Sequence, residues 1–194
     1  MSLKENPSIY LVTRPSVDWK SIAQILEEEN VPPIPDSVRA GDDESAAVIE
    51  ISARMCYMSY GRGRRDITDF INNLLSSKDG SVFEHVNYGF IITGVSRSLT
   101  HELVRHRAGF AYSQRSQRYV DETEGSFVVP PALAANREGI EAARNILDNA
   151  LSKAADSYVE LVEALEETLP RDLFELNTDR RKAIRQAARS VLPN

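Results

Sequence analysis

A long apolar stripe near the C-terminus constrains the fold most. From about Glu138 to Thr168, the residues Ile140, Ala143, Ile146, Leu147, Ala150, Leu151, Ala154, Tyr158, Leu161, Val162 and Leu165 recur every three or four positions. That period predicts one continuous helix, ended by Pro170, which cannot continue it. A helix of about 30 residues is roughly 45 Å long, so it serves either as core or as a subunit contact.

Shorter helices are predicted upstream. One runs Trp19–Glu29, with Ile22, Ile25 and Leu26 on one face. Another runs Glu44–Tyr60 and directs Ala47, Ile49, Ile51, Met55 and Met58 to the core. Asp66 caps a third, through Leu75, with Ile67, Phe70, Ile71 and Leu74 on one side. Ser98 is expected to cap a helix reaching about Arg107, and Thr178 or Asn177 one over Asp179–Val191. Strands are expected at Ser8–Thr13, at Val82–Val95, where Val86, Tyr88, Phe90 and Ile92 alternate, and at Ser126–Val129. The segment 31–41, with three prolines, reads as a loop. Strands and helices do not alternate regularly. The expectation is an α+β fold: a mixed or antiparallel sheet with flanking helices and a long helical arm, as a single domain over residues 1–194.

Composition narrows the function classes. With 42% hydrophobic and 27% charged residues, the 194-residue chain can bury a core without metals or disulfides. No apolar run is long enough for a membrane helix, and the first residues lack the apolar stretch of a signal peptide, so a cytoplasmic location is expected. Cys56 is the only cysteine. The net charge of −6 does not favour nucleic acid, yet Arg105, Arg107, Arg115 and Arg118 cluster within one short segment. Such a cluster is either a solvated basic face at a helix end or a site for small anions such as phosphates. Gly61 and Gly63 follow no strand and lack a third glycine, so they form no dinucleotide fingerprint. Three histidines and one cysteine without close spacing do not indicate zinc.

The order of residues around the cluster is more specific. Arg105-His106-Arg107, a spacer, then Ser116-Gln117-Arg118-Tyr119 resembles the signature of flavin-dependent thymidylate synthases. Ser81-Val82-Phe83-Glu84-His85 is similar to an upstream segment of that family, and Ala188-Arg189-Ser190-Val191-Leu192-Pro193 to a downstream one. There are two departures. The family spacer is one residue shorter than the eight residues Ala108 to Arg115 here. The chain also stops at Asn194, where family members continue with further FAD contacts and a late arginine, so that segment is expected to be missing from these residues.

The resemblance implies reductive methylation of dUMP to dTMP with FAD as cofactor and with NADPH and methylenetetrahydrofolate as co-substrates. The alternatives are methylation of another uridine nucleotide, UMP, or non-catalytic nucleotide binding. It implies that Ser81, Glu84, Arg105, His106, Arg107 and Gln114 bind FAD. Glu102, Leu103, Val104, Arg105, Gln114, Arg115, Ser116, Gln117, Arg118 and Arg189 would line the nucleotide, with Arg118 and Arg189 acting on its phosphate or carbonyl groups. Ser116 takes a binding role, because no His/Asp pair is evident to activate it. By the same analogy the protein is a homotetramer with shared sites. Cys56 lies among apolar neighbours and is expected to be buried rather than nucleophilic, which leaves hydride chemistry on a flavin. His101 is expected to be structural.

Overall fold

The computed structural model describes residues 2–34, 44–134 and 139–193. Its strands are β1 (Ser2–Lys4), β2 (Ser8–Thr13), β3 (Gly89–Thr93) and β4 (Ser126–Val128). Its helices are α1 (Trp19–Glu28), α2 (Ser45–Tyr57), α3 (Ile67–Ser77), α4 (Arg97–Leu103), α5 (Pro131–Ala134), α6 (Ile140–Thr168) and α7 (Asn177–Ala188). Short 3-10 helices cover Gly80–His85, Arg171–Leu173 and Arg189–Val191. The α+β expectation holds. The strands form two pairs rather than one sheet: β1 lies parallel to β4, with Ser2 opposite Ser126, and β2 pairs with β3. Among the described residues no helix is long and apolar enough to cross a membrane.

The chain divides into two compact bodies. One, Ile9–Ile91, is built on α1, α2 and α3. Asp18 caps α1 by accepting from the N–H groups of Lys20 and Ser21, and the Ser21 hydroxyl, ahead of these two bonds, holds its carboxyl below the usual aspartate range. Leu26, Ile34, Ala47, Ile51 and Tyr60 form one apolar cluster, and Ile49, Ala53, Leu74 and Val82 a second. Asp66 caps α3 as expected, accepting from the Asp69 N–H at 3.0 Å.

Expectations fail at two places in this body. Met55 and Met58, assigned to the core, are exposed, and α2 instead buries Glu50 and Arg54. Their side chains pair at 2.6 Å. Arg54 also donates to the carbonyls of Ser59, Arg62 and Arg64 at 2.8–3.0 Å, and its guanidinium lies 4.7 Å from the Phe70 ring centre. One buried arginine therefore fixes the turn after α2, which is why α2 stops at a left-handed Met58 instead of reaching Tyr60. Cys56, expected to be buried, is exposed, because α2 turns its other face inward. The second failure is the strand expected over Val82–Val95. Val82 is drawn into the apolar cluster beneath α2, so residues 80–85 coil as a 3-10 helix and only Gly89–Thr93 extends.

The other body joins Met1–Ser8 to Ile92–Asn194. The α6 stripe folds as one helix from Ile140; position 138 lies outside the described residues. Tyr158, Ile184 and Ala188 are buried where α6 meets α7. Ile146, also on the stripe, is 71% exposed. Arg180 donates to the carbonyls of Leu169 and Glu166 at the end of α6, a favourable place for a cation. Helix α7 begins at Asn177 with no side-chain cap, so neither Thr178 nor Asn177 plays the expected capping part.

Candidate active site

The cleft that gathers residues 114–118 and Arg189 is assembled by hydrogen bonds around α4. Ser96, not Ser98, caps this helix: its backbone is extended and its Oγ accepts from the Leu99 N–H at 3.1 Å. The helix ends at Leu103, so Arg105, His106 and Arg107 sit in turns beyond it rather than on its last turn. The segment from Ala108 to Tyr119 is a loop, as expected.

Contacts from all sides pin that loop. Arg97 of α4 donates to the Arg115 carbonyl at 3.0 Å, and the Gln114 side chain bonds Thr100. The Ser116 hydroxyl accepts from the Arg118 N–H at 3.2 Å. Arg189, just past α7, bonds the Gln117 side chain. Arg185 donates to the Tyr119 carbonyl at 2.7 Å and pairs with Asp121 at 3.0 Å. The buried Tyr158 hydroxyl accepts from the Glu122 N–H at 3.3 Å. Burial holds this phenol above the usual tyrosine range. Lys182 sits 5.0 Å from the Tyr119 ring centre, and its ammonium is raised above the usual lysine value chiefly by its bond to Asp179.

The result is a cleft of about 760 Å³ lined by Arg97, Ser98, His101, Glu102, Gln114, Arg115, Ser116, Gln117, Arg118 and Arg189. Glu102, the run 114–118 and Arg189 were expected to meet, and they do. His101, expected to be structural, lines the cleft instead, and Arg97 and Ser98 join it. These three share one face of α4 with Glu102 at three- and four-residue spacings, a signal that needs the helix boundary to be placed first. Leu103, Val104 and Arg105–Arg107 are adjacent in sequence but are not part of the lining. Ser81 and Glu84 belong to the Ile9–Ile91 body, on its 3-10 helix.

The arginines differ in how far they are satisfied. Arg115 is paired with Glu122 at 3.0 Å, and Arg189 with Gln117. Arg105 faces Glu102 at 3.6 Å with both side chains exposed, a weak pair. The side chains of Arg107 and Arg118 are exposed, and no hydrogen bond or ion pair is found for them among the described residues. Exposed guanidinium forks beside a pinned loop can grip phosphate or carbonyl oxygens. The exposed Arg105, His106 and Arg107, followed by a left-handed Gly109 with open space where a Cβ would sit, also fit an anionic dinucleotide.

The fold resembles crystal structures of the UMP/dUMP methylase PolB from Streptomyces cacaoi, bound with 5-Br UMP and with 5-Br dUMP. The TM-scores are 0.56 and 0.54 at 19% identity, over 99% and 100% of this chain and 68% and 70% of those chains. The chain thus shares the fold of those structures. Residues 39–194 match the family described as thymidylate synthase complementing protein, and the chain belongs to that family. It is 44% identical over 158 residues to the flavin-dependent thymidylate synthase of Mycobacteroides abscessus, covering 78% of this chain and 59% of that protein. It is 41% identical over 166 residues to that of Mycolicibacterium vanbaalenii, covering 84% and 63%. The chain therefore spans about three-fifths of the length of the curated relatives it matches.

Proposed function

We propose that this cleft binds a uridine monophosphate for flavin-dependent reductive methylation, dUMP to dTMP. In this reading methylenetetrahydrofolate gives the carbon and NADPH the electrons. One observation carries the reading: the family-matched residues 114–118 and 189, distant in sequence, line a single cleft. Arg118 meets the nucleotide phosphate with its unengaged guanidinium. Arg189, steered by Gln117, faces a uracil carbonyl and steadies the negative charge that grows there as the ring attacks the carbon donor. Ser116 and Gln114 orient the nucleotide, and Glu102, Leu103 and Val104 shape its rim. Arg105, His106, Arg107, Ser81, Glu84 and Gln114 hold FAD, which when bound and reduced supplies the hydride. The site works within a homotetramer located in the cytoplasm.

Arg105→Ala and Arg107→Ala test the assignment. Each is expected to lower the flavin absorbance of the purified protein while leaving its thermal melt unchanged. Stoichiometric flavin in both variants would contradict it. Turnover of dUMP against UMP with the same preparation identifies the acceptor, since the structural relative is a methylase of both.

A further inference from the structure

Building on the flavin reading, we propose that Phe110 is a stacking platform for a planar heteroaromatic ring of the dinucleotide held by Arg105–Arg107, with Gly109 and Tyr112 as its positioning residues. The loop around Phe110 is constructed rather than slack. Gly109 adopts φ +75°, a left-handed conformation that suits glycine, with nothing within 4 Å of a Cβ built there. This turn lets the Phe110 N–H donate to the Arg107 carbonyl at 3.2 Å. Two residues on, the Tyr112 hydroxyl donates to the His106 carbonyl at 3.0 Å. The Phe110 and Tyr112 rings then lie nearly parallel, with centroids 5.9 Å apart and planes 11° apart, in offset stacking.

A single exposed phenylalanine needs no explanation. This one has its backbone tied by a turn and its ring backed by a tethered tyrosine, yet 63% of it remains in water. Tyr112 accounts for one face of the ring only. The same few residues carry two arginines and a histidine, exposed and suited to a pyrophosphate linker. An aromatic face beside guanidinium groups is the chemistry that accepts a planar ring attached to phosphates. The Gly109 turn that presents Phe110 lies within the eight-residue spacer.

Binding of FAD, FMN and ADP to the full chain and to Phe110→Leu, Phe110→Trp and Tyr112→Phe variants tests this, read by affinity, flavin fluorescence and light-scattering mass. Phe110→Leu is expected to weaken FAD about tenfold, as loss of one ring stack does, and to relieve quenching of the flavin. Phe110→Trp should retain affinity and quench more deeply, and Tyr112→Phe should show a smaller loss. A parallel loss for FMN identifies the isoalloxazine as the stacked ring, and a loss for ADP the adenine; both support the proposal. Wild-type affinity and quenching in Phe110→Leu would overturn it, as would a change in assembly mass with FAD binding intact. Failure of the unmodified protein to bind FAD would remove the flavin reading itself, and this proposal with it.

Discussion

Arg54 and Arg118 are the same side chain in opposite circumstances. Arg54 is 2% exposed and spends its guanidinium on Glu50, three backbone carbonyls and an aromatic ring. Arg118 is exposed, on a loop whose backbone is bonded to α4 and α7, with its side chain unengaged among the described residues. The first serves structure and the second is available to a ligand. The protein thus separates the two tasks: where an arginine's donors are consumed by its own chain it fixes a turn, and where neighbouring bonds fix the loop for it, the donors remain free for chemistry.

Substitution should expose this division. Arg54→Met is expected to have the largest effect, a loss of about 3–5 kcal/mol in chemical denaturation, because it leaves the Glu50 carboxylate buried and unpaired. Adding Glu50→Gln should restore part of that loss. If Arg54→Met alone melts like the parent, Arg54 is not the clamp of the 59–64 turn. Arg118→Ala is next: uridine monophosphate affinity, by calorimetry, should fall about 10- to 100-fold, the value of a charge-assisted contact. Its stability should stay within about 0.5 kcal/mol of the parent. A destabilised Arg118→Ala with unchanged affinity would invert the comparison.

The smallest effect concerns the seating of the loop. Asp121 is held below the usual aspartate range, first by the Thr123 hydroxyl, then by the Thr123 N–H, with Arg185 adding to it. A lowered carboxyl contributes stability above its ordinary titration and loses it as the pH falls through the lowered value. Asp121→Asn should therefore reduce stability slightly at neutral pH and flatten its decline below about pH 4. An unchanged acid limb would show that this bond set does not steady the loop.

What was legible in the sequence follows from the range of the forces involved. Helices α3 and α6 were readable because an Asp66 cap and a sustained apolar stripe act within a few residues of themselves. The 82–95 segment was misread because only Gly89–Thr93 extends, while the fate of Val82 is decided by α2, about thirty residues earlier. The face of α2 was misread for a similar reason. Hydropathy places Met55 and Met58 inside, and nothing local reveals that Glu50 and Arg54 pair in the core. At the site, residues 114–118 and 189 were found through an ordered family pattern. Arg97, Ser98 and His101 belong to no such pattern, and only the true N-terminus of α4 puts them on the cleft-facing side.

The pairing of β1 with β4 has a consequence for how this protein comes into being. Ser2 and Ser126 share a hydrogen bond at 2.6 Å across 124 positions of chain. As the protein is synthesised, its opening strand has no partner until residue 128 has left the ribosome, by which time all of Ile9–Ile91 has already been made. The body that carries the cleft closes late, and closure of so long a loop makes it slow to form.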